Sequence, residues 1–256
     1  MKTAKVNGTE IHYELQGKQG SAWLILSHSL ACSTRMWDPQ VTALKDHYCI
    51  LNYDMRGHGK SAAPAGPYTL DMLADDVLGL MKHLGIERAK YVGLSIGGMI
   101  GQHLALKEPK RFEKMVLADT GHTQTPEAIK QWEERIRIAQ SQGMKPLVPG
   151  TMERWFTLAF RDKPEARKIA DIVASTPVAG YVGCGQAIMK LNTTARLKDI
   201  KLPVLAITGE SDAAAAGTQY IGEHVPGAKF VAIAQAAHIA NIEQAERFNQ
   251  ALRDFL

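Results

Sequence analysis

Short apolar segments that alternate with amphipathic helical ones constrain the fold of this chain more than any other feature of its sequence. The apolar segments are WLILSH, CILNYDM, KYVGLS, KMVLAD, PVLAITG and KFVAIA. Between the second and the third, Thr69 is placed to cap a helix in which apolar residues recur at helical spacing until Gly85 ends it. The segment from Asn241 onward predicts a second such helix. This alternation is typical of an α/β protein with a mostly parallel, doubly wound sheet covered on both faces.

The alternation stops between about Gly121 and Leu197. The segments TPEAIKQWEERIRIAQSQG, TMERWFTLAF, KPEARKIADIVAS and AGYVGCGQAIMK have helical character, with no convincing strand among them. We therefore predict a core formed by residues 1–120 and 197–256, into which residues 121–196 are inserted as a helical cap. A chain of 256 residues with 45% hydrophobic content is long enough to bury one such core.

The remaining features of the sequence bear on location and partners. The N-terminal residues alternate around Asn7-Gly8, which predicts a β-hairpin and not a signal peptide, and no segment approaches the roughly 18 apolar residues of a membrane span. Cys32, Cys49 and Cys184 lack metal-ligand spacing, so we expect no metal, no disulfide framework and a cytoplasmic location. The formal charge of +4 comes from mixed acids and bases. We expect no nucleic-acid or membrane partner, and both a monomer and a homo-oligomer stay open.

The motif G-x-S-x-G is present as Gly93-Leu94-Ser95-Ile96-Gly97, at the end of a predicted strand and the start of a predicted helix. In that context the motif predicts a nucleophile elbow, a tight turn on which bulky side chains at 93 and 97 would collide with neighbouring elements. Ser95 then projects above the sheet while the helix directs its N-terminal N–H groups at the site. The alternative is a tight glycine turn that carries an incidental serine.

A serine nucleophile needs a base to take its proton and an acid to orient that base. The chain order serine, acid, histidine is met by Asp212 in TGESDA, after one strand, and by His238 in AQAAHIANIEQ, after the last strand. Asp119 also follows a strand and is an alternative acid. We predict Ser95, Asp212 and His238 as the catalytic residues.

The oxyanion that forms on the attacked carbonyl needs backbone N–H donors. One predicted donor is Ile96, directly after the nucleophile, and the other is Leu30 in the loop HSLACSTRMW, where Ser29 replaces the usual glycine. We expect His28 to brace this loop. The glycine-rich segment DMRGHGKS at 54–61 is expected to be structural.

Several longer motifs carry a family resemblance. The segments SHSL, RMWDPQ, YDMRGHGKSAAPAGPYTLDMLADDVLGLMKHLGIERAKYVGLSIGGMIGQ, ERWFTLAFR and AAHIANIEQAERFN together resemble the 3-oxoadipate enol-lactonases of the α/β-hydrolase superfamily, over nearly the whole chain. The resemblance implies the α/β-hydrolase fold, with Ser95 as nucleophile, Asp212 as acid, His238 as base, and Leu30 and Ile96 as oxyanion donors. The chain departs from the family after the acid, where SDAAAAG replaces a proline-containing stretch.

This resemblance implies a serine hydrolase that opens a small lactone or ester without a cofactor. Because 3-oxoadipate enol-lactone carries a free carboxylate, we expect a cation or hydroxyl donors in the pocket, with Arg35, Arg154 and Ser29 as candidates. Trp155 is a candidate pocket residue, or it packs the cap onto the core.

Other functions share the same three residues. General esterases, cofactor-free perhydrolases and carbon–carbon hydrolases stay open as alternatives, as does a ligand-binding receptor of the same fold. Dehalogenase and epoxide hydrolase chemistry is disfavoured, because it requires a carboxylate in place of Ser95.

Overall fold

An eight-stranded sheet organises the computed structural model, which describes residues 2–256 of the chain. The strands are β1 (Lys2–Val6), β2 (Thr9–Gly17), β3 (Trp23–Ser27), β4 (Cys49–Tyr53), β5 (Ala89–Leu94), β6 (Phe112–Ala118), β7 (Val204–Gly209) and β8 (Lys229–Ile233). They lie in the order β1-β2-β4-β3-β5-β6-β7-β8. Strand β2 is antiparallel to β1 and β4, whereas the other neighbouring pairs are parallel. The mostly parallel sheet predicted from the sequence is confirmed.

The two-residue turn between β1 and β2 consists of Asn7 and Gly8, both at positive φ (46° and 73°). Asparagine and glycine adopt this conformation readily, and it matches the twist of the hairpin strands. Every residue of β4 and of β7 is buried, which requires helices on both faces of the sheet.

The described part of the chain contains ten α-helices in addition to the sheet. They are α1 (Asp38–Leu44), α2 (Leu70–His83), α3 (Ile96–Lys107), α4 (Pro126–Gln142), α5 (Val148–Trp155), α6 (Pro164–Ser175), α7 (Val178–Met189), α8 (Ala215–His224), α9 (Ala240–Glu243) and α10 (Ala245–Phe255). The Thr69 hydroxyl accepts a hydrogen bond from the Met72 N–H, which confirms the predicted cap of α2. Within residues 2–256 no single helix is long and apolar enough to cross a membrane, and α6 and α7 reach that length only as a pair bent by 97°.

One predicted helix is broken into two, and another ends earlier than the sequence pattern indicated. The C-terminal segment is interrupted at Gln244, whose backbone (φ −127°, ψ 54°) is not helical, so it forms α9 and α10. Helix α5 ends at Trp155 because Phe156 is extended (φ −133°, ψ 146°).

The four helices α4 to α7 lie between β6 and β7 in the chain, within the predicted cap. Buried side chains of these helices, among them Ile136, Trp155, Ile169 and Val182, belong to the same apolar cluster as the sheet residues. The division into a core and a cap at residues 121–196 stays a prediction.

Candidate active site

Ser95 occupies the turn between the end of β5 at Leu94 and the start of α3 at Ile96. Its backbone has φ 58° and ψ −117°, a conformation that costs free energy in a residue other than glycine. The Ser95 N–H donates to the carbonyl of Ala118 at 2.8 Å, and the Ser95 carbonyl accepts from the Thr120 hydroxyl at 2.8 Å. The neighbouring strand therefore holds the strained turn in place.

The glycines around Ser95 allow backbone segments to lie in contact. A Cβ built at Gly93 would lie 2.2 Å from the carbonyl oxygen of Gly97, and one built at Gly97 would lie 2.2 Å from that of Ser27. Both distances are far below any tolerated contact, which confirms the predicted collisions at 93 and 97.

The structure brings Ser95, His238 and Asp212 together, although they follow three different strands. The Nε2 atom of His238 lies 3.0 Å from the Oγ of Ser95, and its Nδ1 lies 3.0 Å from the Oδ1 of Asp212. Because the Asp212 carboxylate can only accept a hydrogen bond, the ring proton of His238 lies on Nδ1. This leaves Nε2 free to accept the serine proton. The arrangement can therefore activate the Ser95 hydroxyl by general base catalysis.

Asp212 is suited to be the charged member of this set. Burial alone would raise its pKa, but His238 and the hydrogen bonds to its oxygens, including one from the Ala214 N–H at 3.1 Å, lower the pKa below its usual value. Asp119, the alternative acid, is completely buried, and its Oδ1 accepts instead from the Gly209 N–H at 2.8 Å. Asp212 is thus the carboxylate that contacts the histidine.

The loop that carries His238 is held by a residue that the sequence analysis did not single out. Buried Glu243 accepts from the Ala237 N–H at 2.8 Å through Oε2, and from the N–H (3.0 Å) and hydroxyl of Thr157 through Oε1. In addition, the Ile239 N–H donates to the Trp155 carbonyl at 3.1 Å. The histidine loop is therefore tied to the chain that follows α5.

The N–H groups of the two predicted oxyanion donors, Leu30 and Ile96, have no hydrogen-bond partner within residues 2–256. Ile96 is the first residue of α3, where a backbone N–H has no partner within the helix. In the loop after β3, the Ser29 N–H donates to Met36 Sδ and the Ala31 N–H to His58 Nε2, whereas no hydrogen bond within residues 2–256 uses the N–H of Leu30. Both N–H groups are thus available to a ligand.

Two buried histidines brace this loop as acceptors. His28 Nε2 accepts from the Met55 N–H at 2.9 Å, and its Nδ1 donates to the Ser29 carbonyl at 2.7 Å. Burial lowers the pKa of His28, and it lowers that of His58 to about 3. Both rings are neutral near pH 7, as acceptance of a backbone N–H requires.

A cavity of about 440 Å³ contains the Ser95 and His238 side chains. Its wall is formed by the loop after β3, the segments that follow β6 and β7, and helices α4, α5 and α7. Among the lining residues are Ser29, Leu30, Met99, His122, Trp132, Arg135, Arg154, Trp155, Tyr181, Ala213 and Ala214. The alanines of SDAAAAG therefore form part of the wall.

Two arginines in this cavity have no acidic partner. Arg135 donates to the Gln131 amide oxygen and Arg154 to the Thr151 hydroxyl, each at 3.2 Å, and neither forms an ion pair within the described residues. Partial burial lowers the pKa of both groups, and the charge of Arg135 lowers that of Arg154 further. Two adjacent cations that form no ion pair within the described residues favour a negatively charged ligand.

The other predicted pocket residues have different outcomes. Arg35 does not line the cavity, because its guanidinium pairs with Glu14 and with Asp38 (3.4 Å) at the surface, so its expected role there is corrected.

The Ser29 hydroxyl is buried beside the cavity, and it has no hydrogen-bond partner among the described residues. Trp155 is both buried and part of the wall, with its ring 6.1 Å from that of His238, so pocket and packing roles both stay open.

Comparisons with known proteins identify the family of the chain. The family model described as alpha/beta hydrolase fold matches residues 22–245. The chain is 35% identical to 3-oxoadipate enol-lactonase 2 of Acinetobacter baylyi, over 98% of this chain and 94% of that protein. Among solved structures, the enol-lactonase from Burkholderia xenovorans LB400 superposes with a TM-score of 0.95 at 39% identity, over 99% of each chain.

A malate-bound thermophilic esterase from Thermogutta terrifontis superposes with a TM-score of 0.93 at 26% identity, over 99% of this chain and 97% of that one. The similarity to these proteins thus includes the segment predicted as a cap. The chain belongs to the α/β-hydrolase family and is an ester-bond hydrolase related over nearly its full length to the 3-oxoadipate enol-lactonases.

Proposed function

We propose that this hydrolase opens a small lactone that carries a free carboxylate, with 3-oxoadipate enol-lactone as the candidate substrate. The observation that carries this proposal is the pair Arg135 and Arg154, two cations without an acidic partner in the cavity that contains Ser95. A guanidinium binds a carboxylate through paired N–H donors. The relationship to enol-lactonases supports the same ring-opening chemistry.

The reaction begins at Ser95. His238 Nε2 accepts the Ser95 proton as Oγ attacks the lactone carbonyl, and the resulting imidazolium is stabilised by the Asp212 carboxylate. The N–H groups of Leu30 and Ile96 donate to the oxyanion of the tetrahedral intermediate. Because these donors are fixed by the loop after β3 and by α3, they need little reorganisation when the charge forms.

Collapse of the intermediate breaks the ring C–O bond. The enol oxygen leaves, takes the proton from His238 and stays tethered to the acyl group on Ser95. Tautomerisation of the released enol to a ketone makes ring opening hard to reverse. Water then attacks the acyl-enzyme with His238 again as base, and the dicarboxylate product departs.

We also propose that residues 121–196 act as a cap that selects the substrate. Arg135, Arg154 and Trp155 all come from this segment, whereas Ser95, Asp212 and His238 do not. A cavity of about 440 Å³ falls within the usual size range of small-ligand pockets. The core then supplies the chemistry and the cap the selection.

The experiment that tests the proposed substrate compares 3-oxoadipate enol-lactone with nitrophenyl acetate, at equal pH and ionic strength. We expect kcat/KM for the lactone to be higher by about a hundredfold or more, because carboxylate binding contributes only to the charged substrate. Equal kcat/KM on both compounds would indicate a general esterase or perhydrolase in place of a lactonase. The same conclusion would follow if the neutral methyl ester of the lactone were as good a substrate as the lactone itself.

A further inference from the structure

Two carboxyl groups face each other behind the catalytic histidine. Asp119 follows β6 and Asp212 follows β7, and their side chains are within hydrogen-bonding reach of one another. Each has one occupied oxygen: Asp119 Oδ1 accepts from Gly209 N–H (2.8 Å) and from the Thr208 hydroxyl (3.3 Å), and Asp212 Oδ1 lies 3.0 Å from His238 Nδ1. Both Oδ2 atoms are buried, and neither receives a hydrogen bond from the described residues.

Two ionised carboxylates cannot form this contact. An ionised carboxylate only accepts hydrogen bonds, and two negative charges this close in a buried site repel strongly. A single proton between the two Oδ2 atoms removes the repulsion and gives each of them a partner. Among the described residues, the titratable group hydrogen-bonded to this pair is His238, on the Asp212 side. On the other side, Asp119 Oδ1 accepts from the Thr208 hydroxyl and the Gly209 N–H, which do not titrate.

The surroundings decide which carboxyl holds the proton. Asp119 is completely buried, and burial, with the charge of Asp212 added, raises its pKa well above the usual value. Asp212 faces the ring that becomes a cation during the reaction, and its pKa is lowered. The proton therefore belongs on Asp119.

We propose that Asp119 stays protonated and donates a hydrogen bond from its Oδ2 to the Oδ2 of Asp212, as a positioning residue that extends the array Ser95–His238–Asp212 by a fourth member. This bond fixes the rotation of the Asp212 carboxylate, so that Oδ1 stays aimed at His238. It also withdraws electron density from Asp212, which disfavours proton transfer from the imidazolium to that carboxylate. The inference rests on the proposed role of Asp212 but not on the identity of the substrate.

The test compares Asp119→Asn with Asp119→Ala on nitrophenyl acetate. Asparagine keeps an acceptor for the Gly209 N–H and places a neutral N–H donor against Asp212, so kcat should stay within about threefold of the wild-type value. Alanine removes the donor, and kcat should fall by about tenfold or more while KM changes little. Equal losses in both variants would show that the negative charge of Asp119 matters, and an unchanged kcat in Asp119→Ala would show that it positions nothing. Either result would overturn the proposal.

A second measurement does not depend on activity. With the carboxyl carbons of aspartate isotopically labelled, the infrared spectrum of the wild-type protein near pH 7 should contain the C=O band of a protonated carboxyl that Asp119→Asn lacks. If the wild-type protein shows no such band, the proposal is wrong even when every variant is active. If the wild-type protein hydrolyses no ester at all, the proposed function fails, and the spectrum still decides the state of Asp119.

Discussion

The Cα of Gly97 faces the carbonyl oxygen of Ser27 so closely that a Cβ at position 97 would lie 2.2 Å from that oxygen. Through this contact the first turn of α3, which follows Ser95, packs directly on the strand that leads into the loop of Leu30. The two proposed oxyanion donors, Leu30 and Ile96, are therefore held relative to each other by backbone contact and not by flexible side chains.

Gly97→Ala should destabilise the protein strongly, because the clash is with backbone that cannot rotate away. We expect the free energy of unfolding to fall by about 3 kcal/mol or more, measured by urea denaturation. Gly121→Ala is the matched control, since a Cβ there meets only the Thr123 carbonyl at 3.6 Å and should be neutral or slightly stabilising. If both variants are equally stable, the close approach at Gly97 does not constrain the fold.

Ser95→Ala should remove the nucleophile while it leaves the fold intact. We expect kcat to fall by roughly 10³-fold or more with little change in melting temperature, because the group lost is one small hydroxyl, which is hydrogen-bonded to His238. A phosphonate ester inhibitor should label the wild-type protein at one site and leave the variant unlabelled. Turnover by the variant at a comparable rate would place the nucleophile elsewhere.

Asp212→Asn tests the choice between the two carboxyl groups. The asparagine offers no negative charge to the imidazolium and permits the wrong ring tautomer, so kcat should fall by about 10³-fold or more while KM stays similar. Asp119→Asn is the paired variant and should be far less damaging. The reverse order would make Asp119 the acid.

Arg135→Gln and Arg154→Gln should separate binding of the charged substrate from the chemistry. Each change removes charge-assisted hydrogen bonds to the carboxylate, so KM for 3-oxoadipate enol-lactone should rise by about tenfold. Efficiency on nitrophenyl acetate should stay within about twofold, because that ester has no carboxylate to lose contact with. Arg35→Gln is the control, since Arg35 pairs with Glu14 and Asp38 outside the cavity and should affect neither substrate. A parallel loss on both substrates in the cavity variants would argue against a carboxylate subsite.

The sequence predicted the parts of the site that depend on chain order and strand ends. Ser95, Asp212 and His238 each directly follow or lie close behind a strand of the parallel sheet, and the ends of such strands meet at one edge. The glycines at 93 and 97 are explained by the motif alone, since the elbow itself requires them. The strands of the sheet could be predicted because each is a distinct apolar segment. The short helices α1 and α8 could not, because neither has a long apolar repeat.

Features that arise from tertiary packing could not be predicted in this way. Arg135 enters the cavity because α4 packs against α7. The sequence of α4 contains both Arg135 and Arg137, and nothing in it indicates which of them faces the cavity. Glu243 contacts Thr157, 86 residues away, and Asp119 faces Asp212 only once β6 and β7 are paired. Arg35 was misplaced for the converse reason, because its partners Glu14 and Asp38 are assigned by folding.

The buried acceptor His58 should make stability depend on pH in a defined direction. Its Nε2 accepts from the Ala31 N–H at 3.0 Å, and its folded pKa of about 3 lies below the unfolded value of about 6.5. Above that unfolded value neither state binds the proton, so the group has no pH-dependent effect. Below it the unfolded chain takes up a proton that the folded protein excludes, and stability falls by about 1.4 kcal/mol for each further pH unit until the folded pKa is reached.

By about pH 5 this single group should have removed about 2 kcal/mol of stability, and His28, whose pKa is also lowered, adds to the loss. His58→Gln keeps an acceptor oxygen but does not titrate, so its free energy of unfolding should be lower than that of the wild-type protein near pH 7 and should decline less between about pH 7 and about pH 5. Urea denaturation of both proteins across that range measures the two slopes. The interval lies largely above the titration of ordinary carboxylates, so the difference in slope reports the histidine. If the two slopes are the same, His58 takes up its proton at the same pH in the folded protein as in the unfolded chain. It is then not the buried acceptor that holds the Ala31 N–H and the loop of Leu30 beside Ser95.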